Sequence, residues 1–479
     1  MTKHPAAILL ILTSVASADV KPHGLFTDHM VLQRDIPVPV FGTADAGETV
    51  KVAFGGTNRS TVADSDGNWS VTLNPMRASR TPADMRISGK NEIILRDILI
   101  GDVWVCGGQS NMYWPMRELQ RPEDIRTADF PLIRQFQVPN TTADAPRDDV
   151  AGEWMVCSPE TAGAFTGVGF HFARSIHQEI GIPIGLLHSS WGGTRIEPWL
   201  SPDGLMAIPE SMRERATRHF DSMEPHYRYH GMIHPLTRYP IKGAIWYQGE
   251  SNAVPDPVNL VETYYHQKSA LIAGWREAWD IGDFPFYWVQ LASYEPPNDN
   301  PEGGDPWAQL RMAQSQCLSI PNTGMAVAID LADPGNPSDV HPKNKKDVGE
   351  RLSLWALARD YGKTDVVHSG PLYKAMRVEG DKIRIAFEHK GSGLMVGKKN
   401  GYEPTAEVPG GKLQRFAIAG EDKQWFWADA VTDGATVVVS SPSVPNPVAV
   451  RYAYSQNPDG CNLYNKEGLP ASPFRTDSW

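Results

Sequence analysis

Cysteine is scarce in this sequence: Cys106, Cys157, Cys317 and Cys461 are the only four in 479 residues. Their spacings match no zinc knuckle, and a chain of this length builds a core without disulfide staples. Three pairings are open to them, and Cys106, inside an apolar run, reads as a small core residue. Long apolar runs are missing as well. Nothing approaches the roughly 18 residues that cross a bilayer, so no membrane span is expected. Blocks of one charge sign are also absent: 45 Lys+Arg against 56 Asp+Glu give a net -11, which disfavours a nucleic-acid partner. His226, His230 and His234 stand at helical spacing, but Gly231 and Pro235 interrupt the helix and H-E-x-x-H is absent, so no metal or organic cofactor is expected. The G-x-S-x-G elbow of α/β-hydrolases is missing too.

What is present is an ordinary globular composition, 41% hydrophobic and 21% charged, enough apolar material for a large core. Lys3, the apolar run Ala6 to Ile11 and the small residues Ala16, Ser17 and Ala18 have the form of a secretory leader over residues 1–18, which predicts a periplasmic or extracellular protein. Residues 19–99 read as short alternating strands separated by Gly, Asp, Asn and Pro, a β-sandwich. Residues 100–365 alternate apolar strand-like runs with helix-like ones, an α/β core on a parallel sheet. Residues 366–479 return to a β pattern and form a third, β-rich unit.

Ligands of open α/β sheets bind beyond the carboxyl ends of the strands, and four such ends carry chemistry here. Gly107, Gly108 and Gln109 lead into Ser110 at the start of a helix, where free N–H groups would face an oxyanion; capping is the plainer role for such a serine. Gly192 and Gly193 follow a second strand, where a bare N–H can reach a ligand. Gln248, Gly249, Glu250, Ser251 and Asn252 follow a third, with an amide of Gln248 or Asn252 as a further donor. The fourth end leads through Asp339 to His341. Histidine, titrating near about 6.5, is the usual general base, and it needs a carboxylate to orient it.

Together GDVWVCGGQSNM, SSWGGTRIEPW, KGAIWYQGESNA and SDVHPKNKKDVGERL resemble the SGNH hydrolase superfamily, and within it the sialate O-acetylesterase family and related carbohydrate acetylesterases. The resemblance covers nearly the whole chain after the leader. It implies a flavodoxin-like three-layer α/β core and a serine esterase acting on O-acetylated sugars without a cofactor. Ser110 matches the family's nucleophile and His341 its base. The Ser110 N–H, Gly193 or Gly192, and Gln248, with Asn252 and Glu250 in the same segment, match its oxyanion block. The superfamily usually shows Gly-x-Asn-Asp in that block and an Asp three residues before the His. Here the run is Gln-Gly-Glu-Ser-Asn and position 338 is Ser, which leaves Asp339, Glu250 or no acid at all to orient His341. For the substrate, Arg195, with Arg311 as a second choice, would suit a sugar carboxylate, and Trp191 and Trp199 would stack on a ring. The competing class is a carbohydrate-binding protein on a degenerate esterase scaffold, with some of the 15 Trp as stacking faces.

Overall fold

The computed structural model describes residues 19–217, 225–255 and 259–479. The leader expected over 1–18 lies outside the described residues. The centre is a mixed sheet in the order β3-β2-β4-β1-β5-β6-β7, where β1 is Glu92–Gly108, β2 Phe130–Gln137, β3 Trp154–Cys157, β4 Ile184–Ser190, β5 Gly243–Tyr247, β6 Phe286–Gln290 and β7 Thr323–Val327. All neighbours on this path run parallel except β3, which pairs antiparallel with β2 at the edge.

Every residue of β4, β5, β6 and β7 is buried, because helices cover both faces and no polar side is needed. Two adjacent residues of β1 show this, since neighbours on a strand point to opposite faces. A methyl placed on Gly107 would meet Trp275 of α3 (Leu260–Trp279), whereas the Sγ of Cys106 lies against Gly169 of α2 (Gly167–Ile180). Helix α2 also packs closely on α5 (Lys345–Arg359): a Cβ on Gly349 would stand 2.6 Å from Val168 O. Helix α4 (Pro306–Gln316) follows β6.

Strand β1 continues backward out of this core. Its first half pairs with Ser79–Ser88 and Val31–Gln33 in the N-terminal β unit, so one strand runs straight through position 99. The strands Thr49–Phe54 and Asn68–Leu73 of that unit alternate exposed and inward residues, placing Val50, Val52, Phe54, Trp69, Val71 and Leu73 in its core. From Leu372 onward the chain forms three small antiparallel sheets. This unit is seated on the α/β core: Tyr464 OH donates to Asp330, Ser472 meets Gln290, and Tyr402 OH lies within donating distance of both Lys343 O, at 3.0 Å, and Leu119 O, at 3.2 Å, with one proton shared between them.

The chain leaves β1 toward β2–β4 on one side and toward β5–β7 on the other, so β1 is the switch point where the crevice of such a sheet opens. Ser110, Gly192 and Gln248 follow β1, β4 and β5, three adjacent strands.

Candidate active site

Ser110 is the first residue of the short helix α1 (Ser110–Tyr113), and it is half-buried. Gly108, at φ +131, makes the turn before it; a Cβ there would stand 2.1 Å from Tyr247 O, so no other residue fits. The structure brings Ser110, His341 and Asp339 into one hydrogen-bonded chain. Ser110 Oγ lies 2.9 Å from His341 Nε2, and His341 Nδ1 lies 3.0 Å from Asp339 Oδ1. The same Asp339 oxygen accepts the His341 backbone N–H at 3.0 Å, and Lys343 binds the other at 3.2 Å. Burial alone would raise the Asp339 carboxyl, but these three donors outweigh it and hold the group below its usual range. His341 is pushed below 6.5 by burial and by the nearby Lys345 charge, with Asp339 pulling the other way.

Among the described residues, three backbone N–H groups near the serine, those of Ser110, Gly192 and Gly193, are free of backbone acceptors. Gly192 sits directly against the serine, since a Cβ on it would stand 3.3 Å from Ser110 Cβ. Gly193, at φ +72, turns the chain away and would meet nothing within 4 Å.

Several residues of the expected site are elsewhere or otherwise engaged. Gln248 is fully buried, and its amide nitrogen already donates to Thr194 O at 3.2 Å and Asn252 Oδ1 at 2.6 Å, leaving no proton for an oxyanion. Asn252 spends its amide nitrogen on both oxygens of the buried Glu197, at 3.1 and 3.2 Å. Glu250 does not reach His341; it accepts from Asn111 Nδ2 at 2.5 Å, and burial raises its carboxyl. Trp199 is 0% exposed, donates to Thr194 Oγ1 at 3.1 Å and packs edge-on against Trp246, so it offers no face to a sugar. Arg311 is equally buried, with its guanidinium spent on the carbonyls of Leu291, Ala292, Ser455 and Gln456. Arg195 is half-buried, and its charge acts on the Glu197 carboxylate. Trp191 is half-buried under the Arg228 guanidinium, 3.7 Å from its ring centre. His226 and His234 pair separately with Leu200 O and Arg147 O, at 2.7 and 3.0 Å.

Sequence reasoning missed Trp114. Its ring stacks on the His341 imidazole at 4.7 Å and 12°, and the Lys343 ammonium lies 4.2 Å from its centre. Being four residues beyond the serine, on the exit of the same turn, was the signal available for it. Asn111 and Lys345 were missed for a different reason: buried polar partners at the centre of a site have no periodic signature.

Comparisons with known proteins give the family. The model of a family of carbohydrate esterases, the sialic acid-specific acetylesterases, matches residues 100–357. The sialate O-acetylesterase of Rattus norvegicus is 31% identical over 520 residues, covering 93% of this chain and 92% of that one. The sialate O-acetylesterase of Homo sapiens is 30% identical, covering 93% and 90%. The crystal structure of a carbohydrate acetylesterase from Xanthomonas citri superposes with a TM-score of 0.85 at 40% identity, over 96% of this chain and all of that one. The expected SGNH-type core and ester-hydrolase class therefore hold, and the chain belongs to the sialic acid-specific acetylesterase family of carbohydrate esterases.

Proposed function

We propose that this protein removes acetyl groups from sugar hydroxyls through an acetyl-enzyme formed on Ser110. The observation that carries this reading is the unbroken chain from Ser110 Oγ through His341 to Asp339, at 2.9 and 3.0 Å. In the first half-reaction His341 Nε2 takes the hydroxyl proton as Ser110 Oγ attacks the acetyl carbonyl. The negative charge that develops on the carbonyl oxygen meets the N–H groups of Ser110 and the Gly192–Gly193 turn, an all-backbone oxyanion site. Collapse of the intermediate breaks the bond to the sugar oxygen, which leaves with the proton held on His341. Water then attacks the acetyl-enzyme with His341 as base, and acetate departs as Ser110 regains its proton. Asp339 holds Nδ1–H, which keeps Nε2 as the basic nitrogen.

The names of the relatives support an acetyl ester on carbohydrate as the bond cut, in one case on sialic acid and in the other on a sugar left unspecified. Acetate release from O-acetylated sialic acid and from acetylated xylo-oligosaccharides, with wild type beside Ser110→Ala, tests the reading. Release from at least one substrate, abolished by the substitution, is the expected result, and the preferred sugar defines the class. Undiminished release by folded Ser110→Ala would sink it. Export belongs to the same proposal and rests on the pattern of residues 1–18; N-terminal sequencing beginning at Asp19 is the expected outcome for protein recovered outside the cytoplasm.

A further inference from the structure

A second chain of buried polar groups runs beside the first. Lys345 opens helix α5, is 0% exposed, and donates its ammonium protons to Asn111 Oδ1 and to Pro342 O, the latter at 2.7 Å. Asn111 Nδ2 donates to Glu250 Oε1 at 2.5 Å and to Val340 O at 3.0 Å. In the amide orientation that matches donors to acceptors, Gln109 Nε2 donates to the other Glu250 oxygen at 3.1 Å and to Thr194 O at 3.1 Å. These bonds fall at four particular places: Gln109 and Asn111 flank Ser110 in the sequence, and Val340 and Pro342 flank His341. Both reacting residues are thus held from either side by one network.

We propose that Lys345 and Asn111 are positioning residues for the acetyl transfer: by tying the backbone around His341 to the helix that carries Ser110, they set the separation of Nε2 and Oγ. This rests on the Ser110–His341 reading above and adds residues that act through the segments carrying Ser110 and His341. An ammonium buried among protein atoms is costly unless it is compensated. Here the compensation is two direct acceptors, the Glu250 carboxylate one amide away, and the ring of Trp114 at 5.4 Å and of Tyr247 at 5.5 Å. An apolar side chain would fill the same space without that penalty, so stability alone does not account for a lysine here. What a lysine supplies is a donor to both segments and a positive charge beside His341.

The charge has its own consequence. The groups acting on His341 are Lys345, Asp339 and Lys343, with Trp114 stacked on the ring. Those acting on Lys345 are Glu250, Asp339 and Lys343, and burial brings its ammonium down to about 7. A cation near the imidazole disfavours the imidazolium, so Lys345 helps keep Nε2 unprotonated in mildly acid solution.

The test compares wild type, Lys345→Met, Lys345→Gln, Asn111→Leu, the Asn111→Leu/Lys345→Met pair and Ser110→Ala in the full-length protein. Melting temperature, kcat, KM, the pH profile of kcat/KM and the rate of labelling by a serine-directed phosphonate are read together. Lys345→Met is expected to lower kcat and the labelling rate about 10- to 100-fold, the scale of a sub-ångström to ångström misplacement, with KM changed less than about 3-fold. Its acid limb should move to higher pH, because the like charge beside His341 is gone. The paired variant should be little worse than either single change, as expected for residues of one network. Lys345→Gln keeps a donor without the charge, so its limb should move while kcat falls less; it also serves if the methionine variant does not fold. Folded variants with kcat within about 2-fold of wild type and an unmoved limb would overturn the proposal. If Ser110→Ala itself retains turnover, the esterase reading has failed instead, so the two failures are told apart within one series.

Discussion

Gln248 and Ser110 end neighbouring strands and looked alike as polar residues beside a crevice, yet burial separates their roles. Gln248 is sealed in, with Tyr264 OH on its oxygen at 2.9 Å and both amide protons spent; Ser110 has one partner, His341. Gln248→Leu should therefore act first on stability, removing one of the donors to Thr194 O and to Asn252 Oδ1 and leaving Tyr264 OH without its side-chain acceptor, a loss of about 1–3 kcal/mol read as a lower melting temperature. Similarly, Trp199→Ala should lose about 3–5 kcal/mol by opening a core cavity, with no selective rise in KM; a large KM effect at unchanged stability would restore its reading as a sugar platform. Ser110 and His341 could be named from strand-end positions and the family resemblance, with Asp339 one of three possibilities for orienting the histidine. Which amides were free was not local, since it depends on partners such as Thr194 and Glu197 that meet only in the fold. The pH profile belongs to this scale too. With burial and Lys345 outweighing Asp339, the His341 imidazole is held below its usual range, so kcat/KM should rise through a midpoint under 6.5. A midpoint well above that value would mean that Asp339, not burial, governs the imidazole.

Strand ends and their turns carry the site, and two glycines test how. Gly192 is solvent-exposed but touches the serine, so Gly192→Ala should lower kcat by crowding Ser110 while leaving the melting temperature nearly unchanged. Gly193→Ala instead forces a side chain into φ +72, and strain of about 1 kcal/mol or more should appear as lost stability. Equal effects of the two on both readouts would contradict this division. At this scale the strands β4, β5, β6 and β7 and the second half of β1 were legible, because each is a mainly apolar run bounded by Gly, Pro or polar clusters, whereas the continuity of β1 through position 99 was hidden by Arg96, Asp97 and Asp102. Strands β2 and β3 were not. FPLIRQFQ carries Arg134 and Gln135, both buried but satisfied by partners far along the chain: Arg134 donates to His29 O at 2.9 Å and Asp97 O at 2.7 Å, and Gln135 accepts the Thr166 N–H at 2.9 Å. Polar residues inside a buried strand mask its apolar pattern, and only tertiary partners explain them.

Across the whole molecule the three units are joined at places that bear on the site. Strand β1 passes from the N-terminal β unit into the turn that presents Ser110, and Tyr402 from the C-terminal unit holds carbonyls on both sides of the crevice, Leu119 after α1 and Lys343 after His341. Asn344, which caps α5, is held to Gly401 O at 3.0 Å. Tyr402→Phe should accordingly reduce kcat several-fold and lower the melting temperature by the loss of the one hydroxyl proton shared between the two carbonyls, about 1 kcal/mol; unchanged kcat would make the C-terminal unit a bystander. The support of the histidine loop by the C-terminal strands was not visible in the sequence, because it depends on Gly401 and Tyr402 in a polar loop that meets Asn344 and Lys343 only in the fold.

An acetyl-enzyme on Ser110 can be trapped by acid-quenching the protein during turnover of an activated acetyl ester and mapping the modified peptide by mass spectrometry. One acetyl group, on Ser110, is expected in wild type, and none in Ser110→Ala. Acetyl found on another residue during turnover, or turnover persisting in Ser110→Ala, would contradict it.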